Sequence, residues 1–140
     1  MDGVILTPLK QIYHPKGDIF HAMKKSDVGY TGFGEAYFST IHKDEIKGWK
    51  KHTQMTLNLV VPVGEIEFVM HDDREDSLSK GEFLSAILGI DTYQRLTVAP
   101  NVWVAFRGLK ETNLLLNVAS IEHDPTEAIT ITLDEVPYAW

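Results

Sequence analysis

The chain has 140 residues and a mass of 15.8 kDa, with 13 Lys and Arg against 20 Asp and Glu, a formal net charge of −7. That length suits one domain over residues 1–140, and 44% hydrophobic with 24% charged residues is globular composition rather than disorder. The acidic balance excludes a nucleic-acid partner, which needs clustered Lys and Arg, and the absence of cysteine excludes disulfides, thiolate metal sites and a thiol nucleophile.

The amino terminus, Met1-Asp2-Gly3-Val4-Ile5-Leu6, carries an early acid and no basic stretch before its apolar residues. It does not have the form of a secretory signal, and no apolar run nears the roughly 20 residues that cross a bilayer. A cytoplasmic protein without a membrane partner is expected.

Period-two alternation dominates the chain and predicts strands. Val4–Leu6, Asp18–Met23 and Glu35–Thr40 come first, with Pro15-Lys16-Gly17 as punctuation. From Gln54 to Val63, Met55, Leu57, Leu59, Val61 and Val63 share one face. Gly64 supplies a turn, and Glu65–His71 alternates again, which predicts a hairpin. His71 to Gly81 is a polar loop in which His71 and Arg74 are expected to be solvated. Phe83–Leu88, Tyr93–Val98, Val102–Phe106, Asn113–Ser120 and Ala128–Leu133 follow as strands. About ten short strands at a spacing of roughly 8–12 residues indicate an all-β sandwich or barrel.

Six histidines are present, but no His-x-His or His-Glu-x-x-His pair brings two imidazoles to one face, so no metal is expected. The densest polar constellation runs from Lys47 to Asn58. Lys50, His52, Gln54, Thr56 and Asn58 share the face opposite Met55, Leu57 and Leu59. This pattern has two readings, a solvated outer face or a polar lumen that holds a small ligand. In a lumen, His52 beside Lys50 has the chemistry to take a proton from a carbon next to a carbonyl, with the lysine steadying the enolate oxygen. Trp103, after Pro100-Asn101, has two readings, stacking on a base or sugar or a place in the core. Trp49 and Trp140 read as interface residues, and His14, His42 and His123 as surface residues.

Pro8-Leu9-Lys10-Gln11-Ile12, Lys16-Gly17-Asp18-Ile19, Lys50-Lys51-His52, Val60 to Arg74 and Leu96 to Trp103 follow one another in the order of the dTDP-4-dehydrorhamnose 3,5-epimerase family, which the chain resembles from about Pro8 to His123. The resemblance is strongest to a shorter branch with the Lys50-to-Gly64 block and a Pro137-Tyr138-Ala139-Trp140 tail. It implies a cupin fold (a double-stranded β-helix, or jelly roll) and a homodimer; the long first segment is compatible with strand exchange between protomers, and no cofactor is expected. It also implies a nucleotide-sugar ligand, with His52 as catalytic base and Lys50 as the nearest cation. Lys16 would meet a phosphate, and Gln54, Asn58 and Trp103 would bind substrate. Four departures accompany it: Trp49 stands where the family has arginine, Leu57 where it has the enolate lysine, and Leu116 where it has the tyrosine acid. The carboxylate that orients the histidine is assigned to an extension that this chain lacks. The implied function is epimerisation or isomerisation of a 4-keto-6-deoxysugar nucleotide in deoxysugar or polysaccharide biosynthesis. The alternative is a non-catalytic sugar or nucleotide-sugar binding cupin.

Overall fold

A computed structural model describes residues 1–140. Its strands are β1 (Val4–Pro8), β2 (Gln11–Ile12), β3 (Ile19–Phe20), β4 (Glu35–Thr40), β5 (Ile46–His52), β6 (Leu57–Val63), β7 (Glu65–His71), β8 (Phe83–Gly89), β9 (Gln94–Val98), β10 (Trp103–Gly108), β11 (Leu114–Ala119) and β12 (Ala128–Thr130), followed by a 3₁₀ turn at Leu133–Glu135. They form two five-stranded antiparallel sheets, in the orders β1-β9-β6-β11-β4 and β12-β5-β10-β7-β8, with β2 and β3 as a separate ribbon. The apolar faces meet between the sheets: Leu57, Leu59 and Val61 of β6 pack in one cluster with Ile66, Phe68 and Met70 of β7. This is the expected all-β jelly roll. No helix is long and apolar enough to cross a membrane.

The expected hairpin is corrected. β6 pairs with β9 and β11, whereas β7 pairs with β8 and β10, so Gly64 carries the chain from one sheet to the other. Each segment has one fully apolar face, and placing them in opposite sheets buries those faces against each other. Gly64 is at φ +80°, and a Cβ there would run into the backbone of Thr112. The single strand expected from Gln54 to Val63 is also shorter, because the chain bends between His52 and Leu57. Of Asp18–Met23 only Ile19 and Phe20 are strand, and the last strand stops at Thr130.

The outer faces of both sheets are covered. On the first, the buried guanidinium of Arg95 donates to the carbonyls of Ala22 (2.8 Å) and Val28 (3.0 Å), pinning the long first segment across β9. On the second, Trp49, Val69, Trp103, Ala105 and Val136 form a separate cluster beneath Ile131, Tyr138 and Trp140. Trp49 is therefore a core residue with no exposed surface, not an interface residue, because the carboxyl-terminal tail folds back over it.

His71 and Arg74 do not lead into a merely solvated loop. Asp72, fully buried, accepts from Arg74 Nε (2.8 Å), Ser77 Oγ (2.5 Å) and Ser79 Oγ (2.6 Å). The hydrogen bond from Arg74 is the main cause that holds the Asp72 carboxyl well below the usual carboxylate range, against the opposing effect of burial. A carboxyl whose folded pKa is depressed stabilises the fold above its unfolded value, about 3.9, and loses that contribution as pH falls below it. The unfolding free energy from urea titrations is therefore expected to drop between about pH 5 and pH 3 by about 1 kcal/mol more in the wild type than in Asp72→Asn.

Candidate active site

A cavity of about 270 Å³ opens between the sheets. One wall is Lys47, Gly48, Lys50 and His52 of β5 with Val104 and Phe106 of β10; the other is Tyr37 and Ser39 of β4 with Leu57, Leu59, Leu115 and Asn117 of β6 and β11. A bulge shapes the first wall. β10 sets Val104 opposite Lys50 and Phe106 opposite Lys47, so Gly48 and Trp49 together oppose Ala105. One extra residue brings Lys47 and Lys50, three apart, to the same face and sends Trp49 to the other. Gly48 sits at φ +144°, where a Cβ would stand 2.5 Å from the Cβ of Ala105, so glycine is required at that point.

His52 ends β5 and is 9% exposed. Its Nδ1 is hydrogen-bonded to Glu127 Oε1. Glu127, only 3% exposed, stands just before β12, and the bend between β5 and β6 wraps around its carboxylate. Oε2 accepts the backbone N–H groups of Gln54 (3.1 Å) and Met55 (3.3 Å), and its backbone carbonyl accepts from Thr53 N (2.8 Å) and Thr53 Oγ1 (2.7 Å). Burial raises the Glu127 pKa, but hydrogen bonds from His52 and those two amides outweigh it and hold the carboxyl below its ordinary value. An ionised Glu127 accepts from Nδ1–H, which fixes the neutral imidazole in the tautomer whose Nε2 lone pair is open to accept a proton.

On the facing wall, Asn117 is 1% exposed. Its Oδ1 accepts from the backbone N–H of Asn58 (3.1 Å) and its Nδ2 donates to the Tyr37 hydroxyl oxygen (3.0 Å). Lys47 Nζ donates to the Thr40 carbonyl (2.7 Å). No three His, Asp or Glu side chains come together as a metal site.

A known structure matches this arrangement closely. The dTDP sugar isomerase of Desulfovibrio desulfuricans G20 superposes with a TM-score of 0.95, at 32% identity over 99% of this chain and 91% of that one. The chain belongs to the RmlC-like family of dTDP-sugar epimerases and isomerases. Two curated proteins are also similar. The spore coat polysaccharide biosynthesis protein SpsL of Bacillus subtilis is 26% identical over 128 residues, 91% of this chain and 85% of that one. The probable low-salt glycan biosynthesis epimerase Agl13 of Haloferax volcanii is 28% identical over 91 residues, and that match spans 64% of this chain but only 58% of the Haloferax protein. No family model matches the chain.

Within this RmlC-like frame, the residues singled out from the sequence divide into two groups. Lys50 and His52 line the cavity together. Gln54, Asn58, Trp103 and Lys16 do not line it. The bend after His52 changes the parity of the strand, so the leucines of β6 face the cavity and its even-numbered residues face out. Asn58 is buried behind the sheet, where it accepts from Thr97 Oγ1 (2.6 Å) and donates to the Gly29 carbonyl (3.1 Å), tying down the first segment. Gln54 is exposed and contributes its backbone amide to Glu127. Trp103 lies in the outer cluster, its Nε1 on Asp73 Oδ2 (2.8 Å) and the Lys51 ammonium 4.5 Å above its ring. Lys16 is exposed in the turn between β2 and β3.

Two residues of the site were missed, Glu127 behind His52 and Tyr37 in the cavity wall. Glu127 supplies the orienting carboxylate that was expected to be lacking. It follows Asp124-Pro125-Thr126, which reads only as a turn, and its partner is 75 residues away. Tyr37 sits in a strand that alternation identifies without saying which face is inward. In addition, Leu116 points away from the cavity between Leu115 and Asn117, so the position of β11 that faces it is Asn117.

Proposed function

We propose that the chain isomerises or epimerises a dTDP-linked 4-keto-6-deoxysugar by enolisation, with His52 as the base. The observation that carries this reading is the buried His52–Glu127 pair, which leaves one imidazole nitrogen open toward a cavity that also holds two ammonium groups. A proton on the carbon next to a ketone becomes labile when a base meets it and a cation meets the oxygen where charge develops. His52 Nε2 takes the proton, Glu127 stabilises the imidazolium, and Lys50 faces the enolate oxygen. Lys47 adds positive potential at the same wall. A cavity of about 270 Å³ has room for the sugar ring, which leaves the nucleotide to lie across the mouth. The names of the similar proteins, a dTDP sugar isomerase and two glycan or polysaccharide biosynthesis proteins, support this substrate class and a place in surface-polysaccharide assembly.

Proton NMR of dTDP-4-keto-6-deoxyglucose with the protein is the test, and the expected result is a new sugar spin system. One feature favours a second reading, a sugar-binding cupin without chemistry: the enolate lysine of the catalytic epimerases corresponds to Leu57, an apolar side chain in the cavity wall. Saturation transfer from protein to sugar without any new spin system would establish that reading instead.

The active form we propose is a homodimer. The β2–β3 ribbon exposes Ile12 (43%), Ile19 (56%) and Phe20 (40%), and Tyr13 beside it is 79% exposed. Such a cluster on a small ribbon matches an interface better than a solvated surface. Light scattering on a sizing column is expected to give about twice the 15.8 kDa chain mass. A value equal to one chain would refute the dimer.

A further inference from the structure

The enolisation reading names a base but no group that returns a proton from the other side of the sugar. We infer that Tyr37 is that proton donor and that Asn117 positions it; this inference rests on the His52 reading and extends it.

The argument starts from the Asn117 amide. Its Oδ1 accepts the backbone N–H of Asn58 at 3.1 Å, which only an oxygen can do. The amide orientation is thereby fixed, so the group facing Tyr37 is the NH₂. The phenol oxygen is then an acceptor at 3.0 Å, and its own hydrogen is committed to nothing in the protein. A phenol that receives a hydrogen bond on oxygen while its O–H points elsewhere is arranged to give up its proton, because the same donor stabilises the phenolate left behind.

Placement supports the role. Tyr37 comes from β4 and Asn117 from β11, neighbours in one sheet, in register opposite each other. His52 comes from β5 in the other sheet, and all three line the one cavity. A sugar ring between the sheets therefore meets the base on one face and the phenol on the other. Asn117 occupies the inward position of β11 but has no proton of suitable acidity, and it passes the task to its cross-strand neighbour.

The step balances without a co-reactant. His52 Nε2 takes the C–H proton, and that electron pair forms the enolate. The enolate pair then takes the Tyr37 hydroxyl proton at the same carbon from the opposite face, which inverts it and leaves a phenolate and an imidazolium. Solvent returns both to their starting forms.

Tyr37→Phe separates this role from all others when dTDP-4-keto-6-deoxyglucose is followed by NMR in heavy water. The expected result is formation of the inverted product reduced at least about 100-fold, while deuterium still enters unreacted substrate through His52 within about threefold of wild type. Asn117→Ala should reproduce the split more weakly, with product down about tenfold. Unchanged product formation in Tyr37→Phe overturns the donor and leaves the His52 reading standing. Equal loss of product and substrate exchange, in a variant whose circular dichroism is native, also overturns it, since the phenol would then act on the first step. No exchange and no product in the wild type overturns the His52 reading and the donor with it.

Discussion

Glu127→Gln is expected to slow turnover roughly 10³–10⁴-fold, although it removes one charge and hardly changes the shape of the side chain. The reason lies in the backbone around it. Oε2 accepts the amides of Gln54 and Met55, and only an oxygen can remain there. The new NH₂ must then face His52 Nδ1 and donate to it. Nδ1 becomes an acceptor, the ring proton moves to Nε2, and the nitrogen that faces the cavity can no longer accept a proton. Affinity for a nucleotide sugar should change little, because Glu127 lies behind the imidazole and does not line the cavity. Steady-state kinetics with the 4-keto sugar nucleotide check this through kcat and KM separately. A kcat within tenfold of wild type would show that the carboxylate does not set the tautomer.

The second large effect concerns stability. Trp49→Ala should cost about 3–5 kcal/mol, as expected when a fully buried tryptophan is truncated. The ring has no exposed surface and packs between the aromatic rings of Phe83, Tyr138 and Trp140, with centroids 6.5, 6.5 and 6.0 Å away. Tyr138 and Trp140 of the carboxyl-terminal tail pack directly on that ring, so they would lose part of their anchor as well. For a chain of this length the loss corresponds to a fall in Tm of about 10 °C or more. Differential scanning calorimetry checks it, and a fall of less than 3 °C would mean that the tail is held by other contacts. Because Trp49 also forms the bulge that turns Lys47 and Lys50 inward, the folded fraction should show weaker ligand binding.

The sequence already contained most of the strands, because a half-buried strand writes its period directly into the order of side chains. Glu35–Thr40 and the stretch around Phe83 were legible for that reason. Pairing was not. β6 and β7 are separated by one glycine, and only the need to cover two apolar faces explains why they enter different sheets. The candidate site was legible at Lys50 and His52 but not beyond. A bulge at Gly48-Trp49 and a bend at Thr53–Thr56 each change strand parity, so extending the His52 face to Gln54 and Asn58 placed polar residues in a lumen that leucines line. Asn58 looks like a ligand-binding group in sequence, yet with Thr97 and Arg95 it serves to hold the first segment against the outside of the barrel. Glu127 and Tyr37 lay beyond any local pattern, since each meets its partner through the fold alone, 75 and 80 residues distant.

The central claim is that a carbon–hydrogen bond beside a ketone is broken in the cavity between the sheets. Incubation with dTDP-4-keto-6-deoxyglucose in heavy water, followed by NMR, tests it most directly. The account predicts deuterium at C3 or C5 with the wild type and none above background with His52→Ala. Deuterium entering equally with His52→Ala, or no deuterium with a wild type that visibly binds the sugar, would contradict it.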